Sequence, residues 1–201
     1  MNSRLRILAS LALALTLPTL AQALSPEDIA RATKILQTVM DVSAKYAAVT
    51  GKLTPPTPQT NQAGPYFLPY DSKGELTGWA NKAIQAQVGA AVGEKAGEEA
   101  GKAALNQVPF GGLLGGSAKK KGKELGAIAA VGGTEFIKSS SDLSFAHLED
   151  FAVYLHTRYS SKTDYPKALA TAIAVYPALE KGYLNSLKKA WQAASKEAPA
   201  K

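Results

Sequence analysis

The sequence predicts an all-α protein: a helical bundle that contains an antiparallel helical hairpin and a proline-rich extended connector. Three observations predict it. Apolar residues recur at three- and four-residue spacing in several separate stretches, and no long alternating run marks a substantial sheet. Glycines also recur every fourth residue from Gly89 to Gly101, opposite a run of charges. At 201 residues and 46% hydrophobic content the chain is long enough to bury one core.

The first element reads as an export signal. Arg4 and Arg6 make a positive start, Ile7 to Leu20 is uncharged and apolar, and Ala21 and Ala23 place small residues where a signal peptidase needs them. The reading is a cleaved signal over 1–23, with the mature chain starting near Leu24. A membrane anchor is the rival, but the apolar run is short for a span and ends in a cleavage-type site. The chain contains no cysteine, so no disulfide staples an exported fold and no mature N-terminal cysteine accepts a lipid. Beyond Arg4 and Arg6 the chain keeps 21 of its 23 basic side chains against 16 acidic ones. That mild excess, in an exported compartment, argues against nucleic acid and for at most an anionic surface.

The segment 24–51 is the first amphipathic helix. Ser25 is its N-cap, Pro26 occupies the first helical position, and Glu27 and Asp28 sit at the positive end of the dipole. Ile29, Ala32, Leu36, Val39, Met40, Ser43 and Tyr46 form its packing face, and Gly51 closes it. Residues 52–79 form the connector. Five prolines between Thr54 and Pro69 exclude helix, and Asp71 to Gly74 signals a turn, with Pro69 confining any hairpin strand to an edge. Tyr66, Phe67, Tyr70 and Trp79 make this connector too aromatic to hang in water, so it should lie across the domain; a carbohydrate platform is the weaker reading.

Residues 80–134 carry the hairpin. At about 100° per residue, Gly89, Gly93, Gly97 and Gly101 gather on one half of a helix, with Glu94, Lys95, Glu98, Glu99 and Lys102 on the other. A loop would not sort its charges at helical period, and a lipid span would not carry five charges in nine positions. The remaining reading is a water-facing helix whose smooth side admits another backbone closely. The partner lies in the same chain, where Ala118, Gly122, Gly126, Ala129 and Gly133 share one side. Between the two helices, Phe110, Leu113 and Leu114 lie in an uncharged tip beside Lys119, Lys120, Lys121 and Lys123. Such a tip either touches an anionic bilayer or folds onto the domain with its lysines solvated. These glycines, with "FGGLLGG" and "GKELGAIAAVGG", resemble the glycine-zipper segments of many exported bacterial envelope proteins. The resemblance covers Gly89 to Gly133 and implies envelope location and helix association, but no reaction. The charged "GEKAGEEAGK" departs from the membrane-spanning form of that motif.

The region 135–198 is helical and should pack against the first helix. Phe145, Leu148, Ala152, Leu155 and Tyr159 line one face; Asp164 then caps a further helix that Pro177 kinks or divides. His147 and His156 are nine residues apart, about half a turn out of alignment, so they do not share a metal on one helix. Tyr154, Tyr159, Tyr165, Tyr176 and Tyr183 read as half-buried core with wet hydroxyls. No catalytic residue, cofactor site or metal site emerges. The expected protein is an exported, non-enzymatic, helical envelope protein, periplasmic or extracellular, whose glycine-zipper hairpin mediates helix packing, self-association or peripheral membrane contact. Its expected partners are a second copy of the chain and an anionic membrane surface. The packing residues are Gly89, Gly93, Gly97, Gly101, Gly122 and Gly126. Two alternatives stand beside it: a secreted membrane-perturbing protein, and a periplasmic ligand-binding module built on the aromatic connector.

Overall fold

The computed structural model describes residues 24–60, 62–86 and 125–197. Helix α1 spans Pro26–Ser43 and starts as its sequence dictates. The Ser25 hydroxyl accepts from the Asp28 backbone N–H at 3.2 Å, and the Asp28 carboxylate accepts from the Ser25 N–H at 2.9 Å, a reciprocal capping box. Ala32 and Val39 are buried, with Ile29, Ile35, Leu36 and Val42 packed beside them. Met40 is 65% exposed and leaves the predicted packing face. It follows Val39, the centre of the buried stripe, and so points about 100° away. The helix also does not run smoothly to Gly51. A 3-10 turn at Ala44–Tyr46 separates α1 from the short α2, Ala47–Thr50, and the Tyr46 ring stacks on Trp191 at 5.4 Å.

The connector lies across the domain, as its aromatics require. Strand β1, Tyr66–Phe67, pairs antiparallel with β2, Ser144–Phe145, in the register Tyr66 to Phe145 and Phe67 to Ser144. Gln59 extends the ladder by exchanging backbone hydrogen bonds with Ser144 at 2.8 and 2.9 Å. Gly64 is obligatory here: a Cβ on it would lie 2.2 Å from the Phe145 carbonyl oxygen. The turn at Asp71 to Gly74 forms with Gly74 at φ +81°, and the Asp71 carboxylate accepts from the N–H groups of Lys73 and Glu75. Beyond this turn the chain makes only an isolated bridge between Tyr70 and Leu76, because Pro69 carries no N–H to extend it.

Helix α3 spans Gly78–Ala86. Residues 125–130 are helical and stop just before the glycine pair Gly132 and Gly133. Gly133 N–H donates to the Ile128 carbonyl and Gly132 N–H to that of Ala129, with both glycines at positive φ, which is a Schellman closure. Helix α4, Thr134–Ser139, leads into β2. Phe145 therefore belongs to β2, outside the helix face on which the periodicity places it. Helix α5 is Leu148–Tyr159, α6 is Tyr165–Val175 and α7 is Ala178–Glu197. Pro177 divides α6 from α7, since it lacks an N–H and drives Tyr176 out of helical geometry to φ −124°, ψ 79°.

Helix α6 is the centre of the body. Tyr165, Ala168, Leu169, Ala170, Thr171, Ala172, Ile173 and Val175 are all buried, so it is apolar nearly all round, with α1 and α3 packed against it. α5 packs along α7, and α7 also meets α1 and α2. A second, smaller cluster joins Phe67, Trp79, Ala80, Ala83, Ala130, Val131, Ile137 and Val175.

Candidate functional site

Gly126 lies among the described residues and is buried. Gly89, Gly93, Gly97, Gly101 and Gly122 lie outside them, as do Phe110, Leu113, Leu114, Lys119, Lys120, Lys121 and Lys123. The described residues that flank this segment nevertheless meet. Ala80 and Ala83 of α3 are fully buried in the same cluster as Ala130 and Val131, around the Trp79 ring. The small-residue surface thus begins at Ala80, before the first zipper glycine. Its signal in the sequence is the three-residue spacing of Ala80 and Ala83 beside Trp79.

On the returning side the buried face differs from the predicted one. Gly126, Ala127, Ala130 and Val131 turn inward; Ala129 is exposed, and Gly133 lies beyond the helix end. The larger apolar groups decide this. Val131 and Ala130 join the buried cluster that holds Trp79 and Ile137, and that rotation turns Ala129 to water. Phe136, 37% exposed, covers the edge of this cluster, with Lys82 Nζ 5.5 Å from its ring centre. A Cβ on Gly132 would meet the Phe136 ring at 2.8 Å, so the turn and the aromatic cover fit one another.

The aromatic connector does not form a sugar platform. Trp79 and Tyr70 are fully buried and Phe67 nearly so; Trp79 Nε1 donates to Ser141 Oγ at 2.9 Å, and that hydroxyl donates to the Ile137 carbonyl at 2.8 Å. Tyr66 is half-buried, edge-on to Tyr176. Beside it lies an open, mainly apolar groove of about 280 Å³ walled by Phe67, Ile128, Ile137 and Val175. A larger groove of about 580 Å³ runs between the start of α5 and α7, over Gly182 and Ser186, and an exposed Lys189–Glu149 ion pair of 2.6 Å lies on its wall. No cluster of three His, Cys, Asp or Glu able to hold a metal occurs among the described residues.

The titratable groups that do converge lie inside the body. His156 Nδ1 is 3.0 Å from the Tyr183 hydroxyl, and Tyr183 is hydrogen-bonded in turn to Tyr165. Burial pushes the imidazole down to about 4, so at neutral pH it is uncharged, and its tautomer decides whether Nδ1 donates to or accepts from Tyr183. Tyr183 thus links His156 to Tyr165, and burial raises both phenols well above their ordinary value. On the far side Tyr70 donates to Asp164 at 2.8 Å; burial, and then the carboxylate, raise its phenol too. Asp164 stands at the N-cap of α6, but its side chain makes no capping bond. Its carboxylate serves Tyr70 instead.

The hydroxyls of Tyr159, Tyr165, Tyr176 and Tyr183 are therefore hydrogen-bonded within the protein. Tyr159 donates to the Asp71 carbonyl at 3.1 Å, and the Phe67 N–H donates to the Tyr176 hydroxyl at 2.9 Å. His147 stands apart, exposed and extended just before α5. His156, neutral and set edge-on to the Tyr183 and Trp191 rings, joins α5 to α7, and Tyr183 carries the link on to Tyr165 of α6. Comparison with protein-family models, with curated proteins and with solved structures found no match to this chain.

Proposed function

We propose that the chain is an exported, non-enzymatic helical protein of the bacterial envelope, whose glycine-zipper hairpin mediates close helix packing and self-association, with an anionic membrane surface as a second partner. The carrying observation is the four-residue glycine series, Gly89 to Gly101, set opposite Glu94, Lys95, Glu98, Glu99 and Lys102. Each interior glycine costs a helix about 1 kcal/mol relative to alanine, so four of them need a close contact in return. The base of the segment supports the reading. Ala80 and Ala83 before it share one core with Ala130 and Val131 after it. The ligand-binding alternative loses its support with the burial of Trp79 and Tyr70.

The test is made on the full chain expressed in a bacterial host and fractionated into cytoplasm, periplasm, membranes and medium. Export predicts the chain outside the cytoplasm. In the purified protein Gly97→Leu should lower the melting temperature or break the oligomer measured by light scattering, whereas Glu98→Gln should do neither. Equal melting and equal mass for wild type and Gly97→Leu would misplace the seam. Flotation with anionic phosphatidylglycerol vesicles at low salt tests the membrane partner, and dye release separates mere contact from perturbation. Among the described residues no helix is long and apolar enough to cross a membrane.

A further inference from the structure

We propose that the chain is cut at the Ala23–Leu24 bond and that the new first residue is a core residue, so that processing and completion of the fold share one position. The proposal rests on the export reading and its cut near Leu24, fixes that cut to one bond, and adds the structural consequence that the new terminus is a core residue.

Two independent observations meet at this bond. From the sequence, Ala21 and Ala23 put small side chains three residues and one residue before it, behind the apolar run Ile7 to Leu20. From the structure, Leu24 is 1% exposed and belongs to the main core with Ala32 and Val39. Leu24 precedes the N-cap of α1, and Ile29, the fourth helical residue, packs on the same core, the positions of a hydrophobic staple. The next residue is equally committed. The Ser25 N–H and hydroxyl both donate to Asp28 Oδ2, at 2.9 and 2.7 Å. A cut one bond later would remove the plug and convert the capping N–H into a charged terminus.

The step is a hydrolysis by a membrane-bound signal peptidase of the host. Water adds across the Ala23–Leu24 C–N bond: its hydroxyl joins the Ala23 carbonyl carbon and one proton passes to the leaving Leu24 nitrogen, and the new carboxyl proton then moves to that amine, leaving a carboxylate and an α-ammonium. Glu27 and Asp28, in the first turn of α1, offset the new positive charge at the positive helix end. The order of events is set by access. A peptidase needs the residues on both sides of the bond free of tertiary contacts, and Leu24 in the core with Ser25 in its capping box does not present them. The cut therefore comes before Leu24 docks, and docking then withdraws the new terminus from further trimming.

The experiment takes the full chain exported from a bacterial host and determines its intact mass and N-terminal sequence. A start at Leu24 is expected, and Ala23→Tyr, bulky beside the bond, should leave the chain uncut. Melting is then compared for residues 24–201, residues 25–201, and residues 24–201 with Leu24→Ala or the milder Leu24→Met. The shortened chain and Leu24→Ala should each melt about 5 °C or more below residues 24–201, and Leu24→Met should stay within about 2 °C. A different first residue on exported protein overturns the bond while leaving export standing. Identical melting of residues 24–201 and 25–201 overturns the plug. An uncut chain retained in the cytoplasm overturns both this proposal and the export reading.

Discussion

Acidification should loosen this fold through His156, and the size of the effect is set by its burial. The ring is held neutral beside Tyr183 with its value pushed down to about 4, against an ordinary value near 6.5 in the unfolded chain. Above pH 6.5 both states are neutral and the contribution is fully present. Below it the unfolded chain binds a proton that the folded one refuses, so stability falls until pH reaches the folded value. The span of about 2.5 units at ~1.4 kcal/mol each sets an upper figure of ~3 kcal/mol; the ring's partly solvated edge trims it to about 2–3 kcal/mol. Guanidinium unfolding of residues 24–201 at pH 7.0, 5.5 and 4.5 measures it, with His156→Gln as reference. The Gln amide oxygen accepts from Tyr183 without titrating, while every carboxylate contributes alike to both proteins. The wild type should lose about 2 kcal/mol more than the variant between pH 7.0 and 4.5. Parallel losses would mean that His156 is not held neutral by the fold, and would refute the assignment of an uncharged ring to the Tyr165–Tyr183–His156 chain.

The same packing sets three further outcomes. Gly64→Ala forces a methyl against the Phe145 carbonyl and should cost ~3 kcal/mol or more in chemical denaturation, with loss of the β1–β2 pairing seen as faster exchange of the Phe67 and Ser144 amides. Tyr70→Phe and Asp164→Ala should each destabilise by ~1–2 kcal/mol, and a double-mutant cycle should return a coupling near 1 kcal/mol, because the carboxylate serves Tyr70 and not the helix cap. Independent, additive losses would restore Asp164 to the capping role. Met40→Gln should change stability by less than about 0.5 kcal/mol despite replacing an apolar residue, as a melting curve will show.

The local punctuation of the chain was legible without its tertiary structure. Ser25 with Pro26 starts α1, Asp71 to Gly74 turns, Gly132 with Gly133 closes the helix before α4, and Pro177 separates α6 from α7. Each signal acts through its own backbone within a few residues, by supplying an acceptor, accepting positive φ or lacking an N–H, so no distant contact is needed to read it. The candidate site was legible only as a pattern. The glycine series and its opposed charges are a repeat in the sequence that lies outside the described residues, and the core formed by the residues flanking it was not foreseen. Whether Ala129 or Ala130 turns inward depends on where Trp79 and Ile137 stand.

By itself, then, the sequence determined the helical class and several of the places where helices begin and end, because these depend on the type and spacing of side chains along one backbone. Only the tertiary structure decided that β1 finds β2 about 80 residues away, that Asp164 turns from its cap to Tyr70, and that Tyr165, Tyr183 and His156 close a buried chain between three helices. Those pairings depend on which polar groups are stripped of water together when α5, α6 and α7 pack. A buried hydroxyl must then take whatever partner the packing brings.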